Sequence, residues 1–158
     1  KSKENGGDFI NEISNKLTET NYPIYSVTMC PGEKADVTLA VYGGMLIEAL
    51  TAIKHALLEK EIIVELVVPS KIKPVPVDAI VQSVQQSGRL VVLEEGNLTG
   101  GWGAELAALV QTSSLDALKN PIKRVATPDT VLPSSGPFEK KLIPSVTTIT
   151  KGIYEVMK

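Results

Sequence analysis

The chain contains one cysteine, one histidine, one tryptophan and no long apolar run. Each shortage excludes something. A lone Cys30 cannot close an internal disulfide, and with His55 as its only companion it offers no structural zinc set. A reducing compartment such as the cytoplasm is therefore expected. A spanning helix needs about 20 consecutive apolar residues, and none is present, so a membrane is not expected as a partner. Positive charge is not in excess either, with 16 Lys and Arg against 18 Asp and Glu. Without a basic surplus to displace counterions, nucleic acid is a poor partner. The opening, KSKENGGDF, has neither an initiating methionine nor a signal-like apolar stretch. The chain reads as a fragment or processed product whose catalytic partners lie elsewhere.

What is present is a sequence fit to bury a core. Of 158 residues, 43% are hydrophobic and 22% charged, enough for one domain, or one domain with a tail. Phe9, Ile10, Ile13 and Leu17 are spaced for one face of a helix over 8–20, with Asp8 as N-cap. NYPIYSVTMCPGEKA then reads as an extended linker punctuated by Pro23 and the Pro31-Gly32 turn. From Asp36 the pattern is regular. DVTLAVY is a buried strand and MLIEALTAIKHALLEKE a helix with Leu46, Ala49, Leu50, Ile53 and Leu57 along one side. IIVELVV is a second strand, closed by Pro69. The proline-rich PSKIKPVP forbids a regular element. A short helix follows from about Asp78, stopped by Gly88.

RLVVLEE is a third strand, GAELAALVQ a helix, and PIKRVATPD a fourth strand. VLPSSGPFEKKLI is a proline-broken connection, and Pro144 at an N1-like position opens a terminal helix. Alternating strands and helices imply an α/β domain with a mainly parallel sheet and helices on both faces.

The loop EEGNLTGGWGAE, residues 94–105, raises the question of a phosphate site. A Walker loop needs lysine and Ser or Thr after its last glycine, and neither is there. The dinucleotide fingerprint follows the first strand with different glycine spacing. Glu94, Glu95 and Glu105 surround the loop with negative charge, which opposes an anion. The free N–H groups of the next helix still leave anion binding open, but packing is the favoured role for Gly96, Gly100, Gly101 and Gly103.

EEGNLTGGWGAELAALVQ resembles a segment of the β subunits of 2-oxo acid dehydrogenase E1 components, pyruvate or branched-chain type. ADVTLAVYGGMLIEALTAI, GRLVVLEEG and PIKRVATPDTVLPSSGPFEKKLIPSVTTITKGI are similar to three further segments of the same C-terminal, transketolase-type domain, in the same order. The likeness runs from about Ala35 to the C-terminus. It implies a three-layer α/β/α domain over 35–158, with 1–34 as the tail of a preceding pyrimidine-binding domain or the linker after it. Val131-Leu132-Pro133 stands where the family has a P-x-P pair. Deoxyxylulose phosphate synthase and transketolase share the domain, and a small-molecule or anion-binding α/β module is the reading from another class.

The resemblance implies an oxidoreductase that uses thiamine diphosphate and magnesium to decarboxylate a 2-oxo acid, then passes the acyl group to the lipoyl arm of an E2 acyltransferase. This portion is expected to bind no cofactor and no metal, to carry no catalytic residue and to be inactive alone. It would supply contacts to the remaining E1 domains or subunits, in an oligomer, and to E2. The residues expected at such interfaces are Glu94, Glu95, Gly100, Gly101, Trp102, Gly103 and Glu105, with Lys158 as a contact for E2.

Other residues offer less. His55 falls off the apolar stripe of its helix and reads as a surface residue. Cys30 would need a base nearby to act as a nucleophile, and His55 is the sole candidate. The pair Glu94 and Glu95 could do acid–base work at the strand end, but the simpler reading is that one is solvated while the other caps the following turn or meets a basic partner at an interface.

Overall fold

A computed structural model describes residues 10–13 and 22–158. Six strands, β1 (Ile10–Ile13), β2 (Ile24–Thr28), β3 (Val37–Val41), β4 (Val64–Pro69), β5 (Leu90–Asn97) and β6 (Lys123–Thr127), form one sheet in the order β1-β2-β4-β3-β5-β6. β4, β3, β5 and β6 run parallel, whereas β2 joins β4 antiparallel and β1 extends the edge antiparallel to β2. Helices α1 (Leu46–Lys60) and α5 (Val146–Glu155) cover one face, and α2 (Val77–Ser87) and α3 (Trp102–Ser114) the other. A short α4 (Gly136–Glu139) lies in the last connection.

The parallel strands are buried on both faces and carry continuous apolar runs, as such strands must. All five residues of β3 are buried. Along β5, Val91 and Leu93 join the core beneath α1 and α5, while Leu90 and Val92 join the core beneath α2 and α3. On α1 the buried line is Ala49, Ala52, Ile53 and Ala56. Leu46 and Leu50 pack only partly against that core: the alanines let the helix sit close to the sheet and turn the stripe away from the leucines. Gly88 closes α2 in the left-handed conformation at φ 77° and its N–H donates to the Val84 carbonyl, the expected stop.

Three expectations are corrected. Within 8–20, residues 10–13 form strand rather than helix; the remainder lies outside the described residues. Helical spacing alone lost to pairing, since β2 offers a free edge and Ile10 to Ile13 register opposite Val27 to Ile24. The linker expected over 21–35 holds β2, because its prolines stand outside Ile24–Thr28 and leave five residues able to join the ladder. Pro144 precedes the N-cap instead of occupying N1. Ser145 is the cap, its Oγ accepting the Thr148 N–H while the Thr148 hydroxyl accepts the Ser145 N–H, a capping box.

Helix α5 touches the sheet through Gly152, where a Cβ would lie 2.6 Å from Val125 Cγ2. Replacing a helical glycine with alanine ordinarily stabilises by about 0.5–1 kcal/mol. Here the buried, β-branched Val125 cannot retreat cheaply, and overpacking of this kind costs about 1–3 kcal/mol. Gly152→Ala is expected to lower the urea midpoint; a raised midpoint would show that α5 is free to shift outward.

Candidate functional site

In an open α/β sheet, ligands gather beyond the carboxyl ends of the strands, where neighbouring strands send their connections to opposite faces. Here that place lies between β3 and β5, because α1 leaves β3 toward one face and α3 leaves β5 toward the other. It is built from Tyr42-Gly43-Gly44 and from Glu94 to Gly103.

Glu94 lies on the same face of β5 as Val92, two residues earlier, so its side chain enters the core beneath α3 rather than the crevice. It is completely buried. Three features of the local sequence accommodate a charge there. Arg124 stands opposite Val92 in the β5–β6 register and so projects from the same face; its Nη2 donates to Glu94 Oε1 at 2.7 Å. The Gly103 N–H, in the first turn of α3, donates to Glu94 Oε2 at 3.0 Å. The glycines leave the room: a Cβ on Gly103 would fall 2.6 Å from Glu94 Oε1, and one on Gly101 would fall 2.5 Å from Glu94 Oε2 and closer still to the Asn97 carbonyl. Gly101, the N-cap residue of α3, makes no side-chain cap. The carboxylate of the preceding strand therefore caps this helix and meets its positive end.

An arrangement that often receives a phosphate is thus filled by the protein's own anion. Glu95 is exposed, and its Oε2 stands 3.3 Å from where a Gly44 Cβ would be. Burial, and then the charges of Glu94 and Glu95, push the Tyr42 hydroxyl above its ordinary value. A second anion would meet this negative field, so the loop does not fit a phosphate.

Around the ion pair the loop is laced to the end of β6. Arg124 Nη2 also donates to the Leu98 carbonyl at 2.6 Å, and the Thr127 hydroxyl to the Glu95 carbonyl at 2.6 Å. The side-chain amide of Asn97 donates to the Pro128 and Thr130 carbonyls. Asp129 receives both the backbone N–H and the hydroxyl of Thr99, each at 2.8 Å. These bonds, the backbone one first, hold the Asp129 carboxyl below the usual carboxylate range, with a smaller contribution from Arg124. Trp102 is half-buried, stands edge-on to Tyr42 with ring centres 5.0 Å apart, and donates its indole N–H to the Ile72 carbonyl at 3.2 Å.

Of the residues singled out in the sequence, Glu94, Gly101 and Gly103 meet in this cluster, and Trp102 closes its side. Glu95, Gly100 and Glu105 are exposed. Lys158 follows α5, on the opposite face of the sheet from α3. His55 is exposed on α1 and Cys30 is half-buried after β2; among the described residues no group of three His, Cys, Asp or Glu side chains is placed to hold a metal. Arg124, Asp129, Thr99 and Asn97 were not singled out. No local pattern in the stretch IKRVAT marks Arg124 apart from its neighbour Lys123.

The family model "Transketolase, C-terminal domain" matches residues 28–149. The chain belongs to this family. Among curated proteins, it is 38% identical over 102 residues to the pyruvate dehydrogenase E1 component subunit beta of Staphylococcus epidermidis, covering 64% of this chain and 31% of that protein. It is 33% identical over 125 residues to the acetoin:2,6-dichlorophenolindophenol oxidoreductase subunit beta of Bacillus subtilis, covering 79% and 36%. It is 36% identical over 112 residues to the mitochondrial 2-oxoisovalerate dehydrogenase subunit beta of Dictyostelium discoideum, covering 71% and 30%. The chain spans about a third of the length of these relatives. Among solved structures, a split-gene transketolase described as an inactive beta4 tetramer superimposes with a TM-score of 0.66 at 24% identity, covering 79% of this chain and 39% of that one. This likeness shows the fold.

In this transketolase C-terminal domain, two measurements test the cluster. Removing one partner of a buried ion pair costs about 3–5 kcal/mol because the other charge is stranded. Arg124 keeps a fifth of its side chain exposed, so Arg124→Met should sit at the low end of that range, and Glu94→Gln with Arg124→Met should cost less than the two single changes added together. Additive costs in urea unfolding would show that the pair is not coupled. The second test concerns pH. A depressed folded pKa stabilises above the unfolded carboxylate value, about 3.9, and that contribution is lost as pH falls through the lowered folded value. The gap in Tm between the wild type and Asp129→Asn should therefore shrink below about pH 4; a constant gap would mean that Asp129 does not titrate with unfolding.

Proposed function

We propose that the chain is the non-catalytic assembly portion of a thiamine-diphosphate-dependent 2-oxo acid dehydrogenase E1 component, within a β subunit, and that it supplies contacts to neighbouring E1 domains or subunits and to E2. The observation carrying this reading is the filled anion position. A diphosphate needs N–H donors and positive field, and the N-terminus of α3 spends both on Glu94. With Glu95 and Tyr42 beside it, the crevice does not fit the cofactor's diphosphate.

Assembly is supported by where apolar side chains are exposed. Ile47 follows β3, Ile72 follows β4, Leu98 follows β5, and Val131 and Leu132 follow β6; all are at least a third exposed, Val131 at 90%. Because these four strands are parallel, their following connections share one rim of the sheet. An apolar rim of this kind is expected at a surface that another subunit covers. The relatives are named as subunits, which fits such a use.

The test is calorimetric titration of thiamine diphosphate with magnesium into this chain and into a full-length β subunit assembled with its E1 partners. Heat of binding is expected only in the assembled enzyme. Val131→Lys with Ile47→Lys should shift that assembly toward smaller species in sedimentation while leaving the far-ultraviolet spectrum unchanged. Saturable cofactor binding by the chain alone would overturn the reading.

A further inference from the structure

On the opposite side of the sheet from β1, no strand among the described residues pairs with the outer edge of β6. A groove of about 480 Å³ runs along it, between β6 and the segment 140–145, with α5 at its base. Lys123, Arg124, Val125 and Ala126 all border this hollow. Side chains of a strand alternate between faces, so four consecutive bordering residues mean that the groove follows the strand's edge and not one face. Among the described residues, β6 is an end strand paired with β5 alone. The side facing the groove is thus available for pairing, the situation in which an extended peptide adds to a sheet.

The charge around this edge is one-sided. Four lysines border the groove, Lys123, Lys140, Lys141 and Lys151, against one carboxylate, Glu155. Glu155 is already engaged, 2.5 Å from Lys123 Nζ and 3.9 Å from Lys151 Nζ; the hydrogen bond from Lys123 leads the causes that hold its carboxyl below the ordinary value. Lys140 and Lys141 are exposed and pair with no acid among the described residues. In a chain of net charge -2, such a concentration is local and not a consequence of composition. Lysines on an edge strand also serve to repel unwanted pairing. That purpose places them on the strand, whereas Lys140 and Lys141 rise from the facing wall, across a hollow whose inner surface includes Val125, Leu142 and Ile143.

We infer that this groove is a docking site for an extended acidic peptide segment, which pairs its backbone with β6 and directs carboxylates to Lys140 and Lys141. Backbone pairing would supply affinity, and the lysines would select sequence and speed encounter. The groove shares Arg124 with the Glu94 ion pair, but the inference does not depend on the role proposed above, because its contacts are the outer edge of β6 and the side chains of Lys140 and Lys141.

The probe is a soluble eight-residue peptide alternating glutamate with threonine or valine, titrated into the 158-residue chain by amide NMR. The counterpart with lysine in place of glutamate, and inorganic phosphate, serve as comparisons. Saturable shifts are expected on Lys123 to Thr127, with slowed amide exchange along β6 and a dissociation constant of roughly 1 mM or tighter. K140E with K141E, both surface changes, should weaken binding at least tenfold, while an unchanged amide spectrum elsewhere reports an intact fold. Equal binding of the lysine peptide would overturn the inference. So would phosphate reproducing the shifts without exchange protection on β6, which would mark a simple anion patch, or the absence of any saturable shift.

Discussion

A carboxylate carried into the core at the end of a central strand is the constraint around which this domain is arranged. Desolvating Glu94 without compensation would cost several kcal/mol, and the structure compensates on each oxygen: Arg124 on Oε1, the Gly103 N–H on Oε2. Both partners make demands of their own. The N–H comes within reach only if α3 begins almost on top of the strand end, so side chains are excluded at Gly101 and Gly103. Arg124 comes within reach only if β6 pairs with β5 in one register, Arg124 opposite Val92; a one-residue slip would send its side chain to the α5 face. A single buried acid thereby fixes the start of one helix, the register of the edge strand and the composition of the loop.

The same pairing governs the other face. With Arg124 directed toward α3, its neighbour Val125 must point toward α5, where Gly152 admits it. The loop after β5 and the turn after β6 are then brought alongside, and Asn97, Thr99, Thr127 and Asp129 tie them together with hydrogen bonds of 2.6–3.2 Å. The β5–β6 register shifts between Leu93 and Asn97, so ladder bonds alone do not hold this end of the strand pair. Side chains take over where the ladder lapses.

How far this was legible in the sequence depends on the range of the interaction. Local signals served well: the 3.6-residue pattern of MLIEALTAIKHALLEKE comes within one residue of the observed helix at each end, and the stop at Gly88 is observed. Repeated strand and helix runs announced the parallel sheet. The N-terminal residues misled because INEI satisfies two periodicities over so short a stretch, and only the exposed edge of β2 decides between them. The site divided in the same way. That acids in the glycine loop oppose a phosphate follows from neighbouring residues. That one of those acids is buried, and that Arg124, 30 residues further on, neutralises it, follows only from strand register, which no local pattern specifies.

The folded arrangement also shows why this scaffold differs from a nucleotide-binding one of similar topology. Such folds keep the helix N-terminus at the strand-order reversal free, and a ligand's phosphate completes it from outside. Here Glu94 completes it from inside, taking the Gly103 N–H that a ligand's anion would otherwise use. Restoring an anion site would require more than deleting the acid, because Arg124 would be stranded and the space within the glycine turn left partly empty. The exchange of an outside anion for an inside one is therefore held by several residues together, not by one. What the strand ends still offer to the outside is an apolar rim and exposed acids.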